Sequence, residues 1–242
     1  DVGYKSEGVL FRDEFDEGEL PKVGDEIEWE VTPADLGRIA AQNARQIIMN
    51  KLRRAERLSV CEENHPHIKE LISGVVLDVE HGNVRLEIPR TEAILPAKER
   101  IPGENFQPGD HVTALILRIN DKDSGPPVVV SRAHTDFITR LFEREITEII
   151  DHVVELKAVA REPGYRSKIA VHCEEPGVDP VGACVGLGGS RVKNIVREIG
   201  GEKIDVIAWR ENIGEFVANA LQPAKLSRVD VDEENHVVHV EA

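Results

Sequence analysis

The apolar positions between Pro33 and Arg57 recur every three to four residues, which is the period of an α-helix. Pro33 suits the first helical position, and Thr32 suits the N-cap. The side chains of the apolar stripe are Leu36, Ile39, Ala40, Ala44, Ile47, Ile48 and Leu52. The opposite side is basic and carries Arg38, Arg45, Lys51, Arg53, Arg54 and Arg57. The pattern predicts a long amphipathic helix whose cations form a solvated face.

From residue 70 to residue 133 the period changes to two, which is typical of half-buried strands. Short apolar segments alternate here with Gly, Pro and Asn, and they read SGVVLDVE, GNVRLEI, AILP, DHVTALILRI and PPVVVS. Five strands in about 65 residues favour a small closed β-barrel.

The rest of the chain mixes both periods in the order α-β-β-α-α-β. The predicted elements are a helix (136–150), two strands (153–160 and 167–174), a short helix (181–185), a glycine-rich loop, a helix (190–199) and a strand (203–209). Residues 215–242 begin the same order again with one helix and two strands. We therefore expect an α+β protein of several domains.

An internal repeat relates the N-terminus to the barrel. Residues 1–31 align without gaps with residues 86–116, and seven of the 31 positions are identical. Both copies end in Gly-Asp followed by an alternating strand. We interpret residues 1–31 as half of a second barrel. The chain starts as though inside a strand and without Met, so we expect it to be a piece of a longer protein.

Composition and charge limit the function classes. The net charge of −15 argues against a bulk nucleic-acid binder, but the acids concentrate at the two ends, and residues 31–210 are close to neutral. The three cysteines are far apart and predict neither a disulfide framework nor a zinc site, as expected for a reducing cytoplasm. No apolar run approaches the ~20 residues of a membrane helix.

The glycine-rich segment Val185–Val192, VGLGGSRV, is the clearest candidate for chemistry. It fails the dinucleotide pattern because the sixth residue counted from Gly186 is Arg191, and it lacks the Lys of a phosphate-binding loop. Ser190 is not placed between glycines as a nucleophile would be. Two interpretations remain: a plain turn between helices, or a backbone cradle for nucleic acid at a helix N-terminus.

A resemblance favours the second interpretation. The pattern [IV]-G-x-x-G-x-x-[IV] between two helices is similar to the KH signature, and residues 73–132 resemble the OB-fold module repeated in the largest protein of the small ribosomal subunit. Longer blocks, including GRIAAQNARQIIMNKLRRAER, VELKAVAREPGYRSKIAV and DPVGACVGLGGSRVKNIVREIGGEKIDVIAW, resemble the NusA family of bacterial transcription factors from Pro33 to Ala242.

The resemblance implies a non-enzymatic RNA-binding factor of the cytoplasm, without cofactor, metal or membrane. Its implied partners are single-stranded nascent RNA, RNA polymerase and other elongation or antitermination factors, and its implied role is in pausing, termination and antitermination. The implied RNA-binding residues are Gly186, Leu187, Gly188, Gly189, Ser190, Arg191, Lys193 and Arg197. Val185 and Val192 are expected to anchor the flanking helices in the core.

The implied domains are a partial N-terminal segment (1–31), a connector helix (32–67), an OB-type barrel (68–133), a type II KH domain (134–213) and the start of a second KH domain (214–242). Two departures weaken the expected RNA contact. Leu187 and Gly188 carry no charge, and the barrel strand 82–88 lacks an aromatic for base stacking. An RNA-binding accessory module of an RNA-processing assembly and a protein-docking scaffold remain alternative functions.

Overall fold

The computed structural model describes residues 34–120, 125–232, 235 and 237–241. The repeat in residues 1–31 and the predicted cap at Thr32 and Pro33 lie outside these ranges. The chain divides into two compact units, Asp1–Lys51 and Leu52–Ala242. Helix α1 (Ala34–Asn64) begins in the first unit and ends in the second.

Helix α1 runs seven residues past Arg57, where the sequence pattern predicted its end. Ile39, Ile47 and Ile48 of its apolar stripe are more than half exposed. The interpretation of the basic side as a solvated face is wrong at Arg57. Its guanidinium donates to the backbone carbonyls of Asn120 and Gly125, at 2.7 Å each, because the last turns of the helix lie beside the barrel.

The barrel strands are β1 (Leu71–Glu80), β2 (Asn83–Ile88), β3 (Thr91–Leu95), β4 (His111–Ile119) and β5 (Val128–Ser131). They close in the order β1-β2-β3-β5-β4, with β3 and β5 parallel. Alternate residues such as Val84, Leu86 and Ile88 are buried inside. Gly74 is required in β1, because a Cβ there would lie 2.7 Å from the carbonyl oxygen of Glu87 on β2.

A second group of elements follows within the same compact unit. These are α2 (Thr135–Glu145), α3 (Thr147–Ile150), β6 (Glu155–Glu162), β7 (Arg166–His172), α4 (Pro180–Val185), α5 (Ser190–Glu198) and β8 (Lys203–Ala208). The sheet order is β6-β7-β8, with β6 antiparallel and β8 parallel to β7. This is the type II KH arrangement, and the described chain is an α+β protein with a closed five-stranded barrel.

The prediction of one helix over 136–150 is wrong in detail, because the helix breaks at Ile146. That residue is extended, with φ −119° and ψ 108°, and the chain resumes as the short helix α3. Phe142 before the break and Ile149 after it are both buried, as is Ile146 itself, so the apolar period continues across the break. The period alone therefore could not reveal the break.

The barrel has a hydrophobic core of its own, but two of its residues also pack into the core of the KH domain. Ile101 and Leu115 of the barrel pack in the same cluster as Phe137 and Phe142 of α2. Three residues separate β5 from α2, and one of them, Arg132, has a side chain that is 5% exposed. Its guanidinium pairs with Glu104 of the barrel and with Glu198 of α5.

The last elements are α6 (Ile213–Leu221), β9 (Arg228–Asp232) and β10 (Val237–Glu241), and the two strands pair as a hairpin. Lys168 of β7 donates to the carbonyls of Ala220 and Gln222 at the end of α6. Cations are stabilised at a helix C-terminus, so this contact fastens α6 to the KH sheet.

Candidate nucleic-acid interface

Helix α4 is short and well capped at its start. The carboxylate of Asp179 accepts a hydrogen bond from the backbone N–H of Val181 at 3.1 Å, and Pro180 occupies the first turn. The helix ends at Gly186, whose φ of 73° and ψ of 174° suit only glycine. The chain is thereby turned out of α4 into the loop.

The loop Leu187–Gly189 is a tight turn that points its backbone outward. Gly188 and Gly189 both have positive φ, at 61° and 77°, and Gly189 donates to the carbonyl of Gly186 at 3.1 Å. Gly189 is the N-cap of α5, and no side chain caps that helix. The first N–H groups of α5 therefore face the loop together with the positive end of the helix dipole.

The tip of the loop is exposed and uncharged. Leu187 is 96% exposed, and a Cβ added at Gly188 would meet open space. Lys193 is exposed on α5, and its ammonium donates to the carbonyl of Gly188 at 2.8 Å. Arg197 is exposed one turn further along α5. An anion at this surface would meet the positive end of the α5 dipole and two cations.

Arg191, unlike the other predicted RNA-binding residues, has a guanidinium that is paired with a carboxylate of the protein. Its guanidinium donates to the carboxylate of Glu148 at 2.7 Å and to the carbonyl of Ala183 at 2.6 Å. The hydrogen bond from Arg191 lowers the pKa of Glu148 below its ordinary value. Glu148 is not predictable from local sequence, because 43 positions separate it from Arg191.

Of the two residues expected to anchor the flanking helices in the core, Val185 and Val192, only Val192 packs there. Val192 packs against the core as predicted, and Ile195 of α5 is buried. Val185 is only half-buried, and the anchor of α4 is the fully buried Cys184 instead. Burial raises the pKa of the Cys184 thiol to about 12, so this cysteine is a packing residue.

The barrel strand expected to face RNA, residues 82–88, offers little electrostatic attraction for phosphate. Arg85 projects from β2, but its guanidinium pairs with Asp78 at 2.6 Å. Among the described residues, no cluster of His, Cys, Asp and Glu could hold a metal ion. Within the same ranges, no helix is long and apolar enough to cross a membrane.

Comparisons with known proteins agree with this geometry. A family model described as the NusA-like first KH domain matches residues 132–209, and one described as the NusA N-terminal domain matches residues 14–58. The likeness therefore reaches residue 14, further towards the N-terminus than the sequence resemblance indicated.

Three curated relatives carry the name transcription termination/antitermination protein NusA. The protein of Halalkalibacterium halodurans is 45% identical over 90% of this chain and 57% of its own length. The protein of Bacillus subtilis is 44% identical over 90% of this chain and 59% of its own length. The protein of Thermus thermophilus is 41% identical over 88% of this chain and 55% of its own length.

The chain thus spans a little more than half the length of the curated relatives that it matches. The matched span includes the glycine loop and both helices that flank it. Over this span, the chain belongs to the NusA family.

Proposed function

We propose that this chain is the RNA-contacting part of a non-enzymatic transcription factor. In this proposal it associates with RNA polymerase and single-stranded nascent RNA and modulates pausing, termination and antitermination, together with other elongation and antitermination factors. The names of the relatives support the transcriptional role. The observation that carries the RNA contact is the exposed glycine turn at the uncapped N-terminus of α5.

The chemistry of that turn fits a sugar–phosphate backbone. Gly186 and Gly189 allow close approach, the N–H groups of the first turn of α5 can donate to phosphate oxygens, and Lys193 lies beside them. A KH groove holds about four unpaired nucleotides. We include Gly186, Leu187, Gly188, Gly189, Ser190, Lys193 and Arg197 in the contact surface, and Arg191 in its support.

The test is a double substitution, Leu187→Asp with Gly188→Asp. Both positions are exposed, and Asp tolerates the left-handed conformation of Gly188 better than most residues, so the fold should survive. Each new carboxylate a few Å from a phosphate costs about 1 kcal/mol even in a watery dielectric. We therefore expect at least a roughly tenfold loss of affinity for short single-stranded RNA at low salt.

The matched control is Asn105→Asp with Gln107→Glu, which adds the same two charges to exposed positions of the barrel loop. This variant should bind RNA like the parent. If the loop variant folds and also binds like the parent, the loop is only a turn. If the parent does not bind RNA at all, a protein-docking scaffold would replace the proposal.

A further inference from the structure

The side chain of Arg191 turns back under the glycine loop. A Cβ built on Gly186 would lie 3.0 Å from Cγ and 3.2 Å from Cδ of Arg191. The stem of Arg191 therefore passes close to Gly186, and a side chain there would displace it by a few tenths of an ångström. Glycine at position 186 suits this close packing, and its positive φ favours glycine independently.

The guanidinium of Arg191 closes the end of α4. It donates to the carbonyl of Ala183, which belongs to the last turn of that helix. The carbonyls of a last turn lack helical partners, and cations are favourable there. Arg191 lies in the first turn of α5 and binds the end of α4, so it ties together the two helices that the loop connects.

Glu148 holds Arg191 from a third element. The break at Ile146 sets α3 apart from α2, and the backbone carbonyl of Glu148 accepts hydrogen bonds from the N–H groups of Val153 and Val154 at 2.9 Å. Its carboxylate accepts from Arg191, and the hydroxyl of Thr147 lies 3.0 Å away. The side chains of Arg191 and Glu148 are each about one-third exposed.

This pairing removes Arg191 from the charges available to RNA. Its positive charge is balanced by the carboxylate of Glu148, 2.7 Å away. Lys193 and Arg197 are exposed on α5, and Lys193 donates to the uncharged backbone carbonyl of Gly188. The charge of Arg191 is therefore balanced by a carboxylate, whereas the contact of Lys193 with the loop leaves its charge unbalanced.

We propose that Glu148, Arg191 and the Ala183 carbonyl form a loop clamp that positions the glycine turn for RNA, and that Arg191 itself does not contact phosphate. The proposal rests on the RNA-binding function proposed above and assigns roles within that site. Arg191 and Glu148 are positioning residues, and the phosphate contacts come from Lys193, Arg197 and the backbone N–H groups.

Salt dependence separates the two roles. Each phosphate contact on single-stranded RNA contributes about −0.7 to the slope of log affinity against log salt concentration. Arg191→Gln should weaken binding about three- to tenfold through lost preorganisation and leave this slope unchanged. Lys193→Gln should weaken binding and make the slope shallower by about 0.7. A slope change in Arg191→Gln like that in Lys193→Gln would overturn the proposal.

One guanidinium nitrogen, Nη1, donates to both acceptors, and Arg191→Lys keeps the charge but places its ammonium one bond closer to the backbone than that nitrogen. It should lose affinity much as Arg191→Gln does, whereas parental affinity would show that only the charge matters. Glu148→Ala should also weaken binding without changing the slope. Tighter binding with a steeper slope in Glu148→Ala would show that Arg191 is a phosphate contact held back by Glu148, and would refute the clamp.

Amide hydrogen exchange tests the clamp without RNA. The N–H of Gly189 is bonded to Gly186, and it should exchange faster in folded Arg191→Gln than in the parent, while amides of the barrel strands do not change. Unchanged exchange would count against the clamp. If the parent binds no RNA but the exchange differs, the RNA function fails while the positioning contact stands.

Discussion

At the scale of single residues, Glu202 illustrates how a buried charge is held. Its side chain and that of Arg161 are both fully buried and paired at 2.9 Å. Ser167 and the backbone N–H of Gly164 also donate to its carboxylate. Burial alone would raise the pKa of Glu202, but these hydrogen bonds together lower it below its ordinary value. The ion pair joins the β6–β7 turn to the start of β8.

We predict that Glu202→Gln lowers the free energy of unfolding by an amount that depends on pH. The lowered pKa means that ionised Glu202 stabilises the fold above the unfolded value of about 4.3, and that this stability is lost as the pH falls further. At pH 7, Glu202→Gln should lower the free energy of unfolding by about 3–5 kcal/mol, because Arg161 loses its buried partner. The difference should shrink at acidic pH.

Urea unfolding at pH 7 and below pH 4 measures this difference. Glu162→Gln is the matched control, because Glu162 lies in the same region of the sheet but is exposed. It should change stability by less than about 0.5 kcal/mol. A cost of Glu202→Gln that stays constant with pH would contradict the assigned role.

At the scale of elements, the sequence predicted the strands well and the contacts between elements poorly. The barrel strands follow period two, and each lies within a few residues of its predicted place, because burial of one face leaves a local pattern. The break at Ile146 leaves none, since the same apolar spacing suits one helix or two. The glycines of the candidate site were visible for their residue type, but Glu148 was not.

Ion pairs between residues distant in the chain also leave no local pattern in the sequence. Arg132 and Glu198 are 66 positions apart, and Arg161 and Glu202 are 41 apart. Neither pair produces a periodic or local motif, so only the folded chain shows that these charges meet. The expected domain bounds adjoin at residues 133 and 134, but nothing in the sequence reveals that Arg132 is buried at this junction.

We predict that Arg132 makes the barrel and the KH domain tumble together. Its guanidinium contacts Glu104, Glu198 and the ring of Phe137, whose centroid lies 5.1 Å away. The parent should give one rotational correlation time for both domains in ¹⁵N relaxation. Arg132→Ala should lower stability by about 3–5 kcal/mol, because it removes the cation that pairs with the nearly buried carboxylate of Glu104. It should also allow the two domains to tumble at different rates.

Arg118→Ala is the control, because Arg118 is exposed on β4 of the same barrel. It should leave both the correlation times and the stability near those of the parent. Separate tumbling in the parent itself would show that the packing of Ile101 and Leu115 against α2 does not hold the two domains together.

At the scale of the whole molecule, charge is distributed unevenly along the chain. Residues 1–30 contain 11 acidic and three basic side chains, a net charge of −8. Such a segment repels phosphate. We predict that deleting residues 1–31 leaves RNA affinity unchanged or increases it, as measured by titration with short single-stranded RNA. A clear loss of affinity would place an RNA contact in that segment.

The near-neutral middle of the chain predicts how binding responds to salt. Lys193 and Arg197 are the exposed cations of the proposed contact surface, and two phosphate contacts give a slope of about −1.4 for single strands. We expect a slope no steeper than about −2 and weaker binding to a duplex of the same sequence. A steep slope, or equal affinity for the duplex, would show that binding occurs outside the KH groove.

The uncharged tip of the glycine loop also limits how quickly RNA can be captured. Strongly charged surfaces steer their ligands and reach association rate constants of about 10⁸–10⁹ M⁻¹s⁻¹. Leu187 and Gly188 provide no such steering, so encounters should proceed at the unsteered rate of about 10⁵–10⁷ M⁻¹s⁻¹. At this rate, a strand held nearby at millimolar local concentration arrives in about 0.1–10 ms, whereas dilute free strands arrive far more slowly. The loop would thus select RNA by proximity, favouring a strand that emerges beside it over strands in bulk solution.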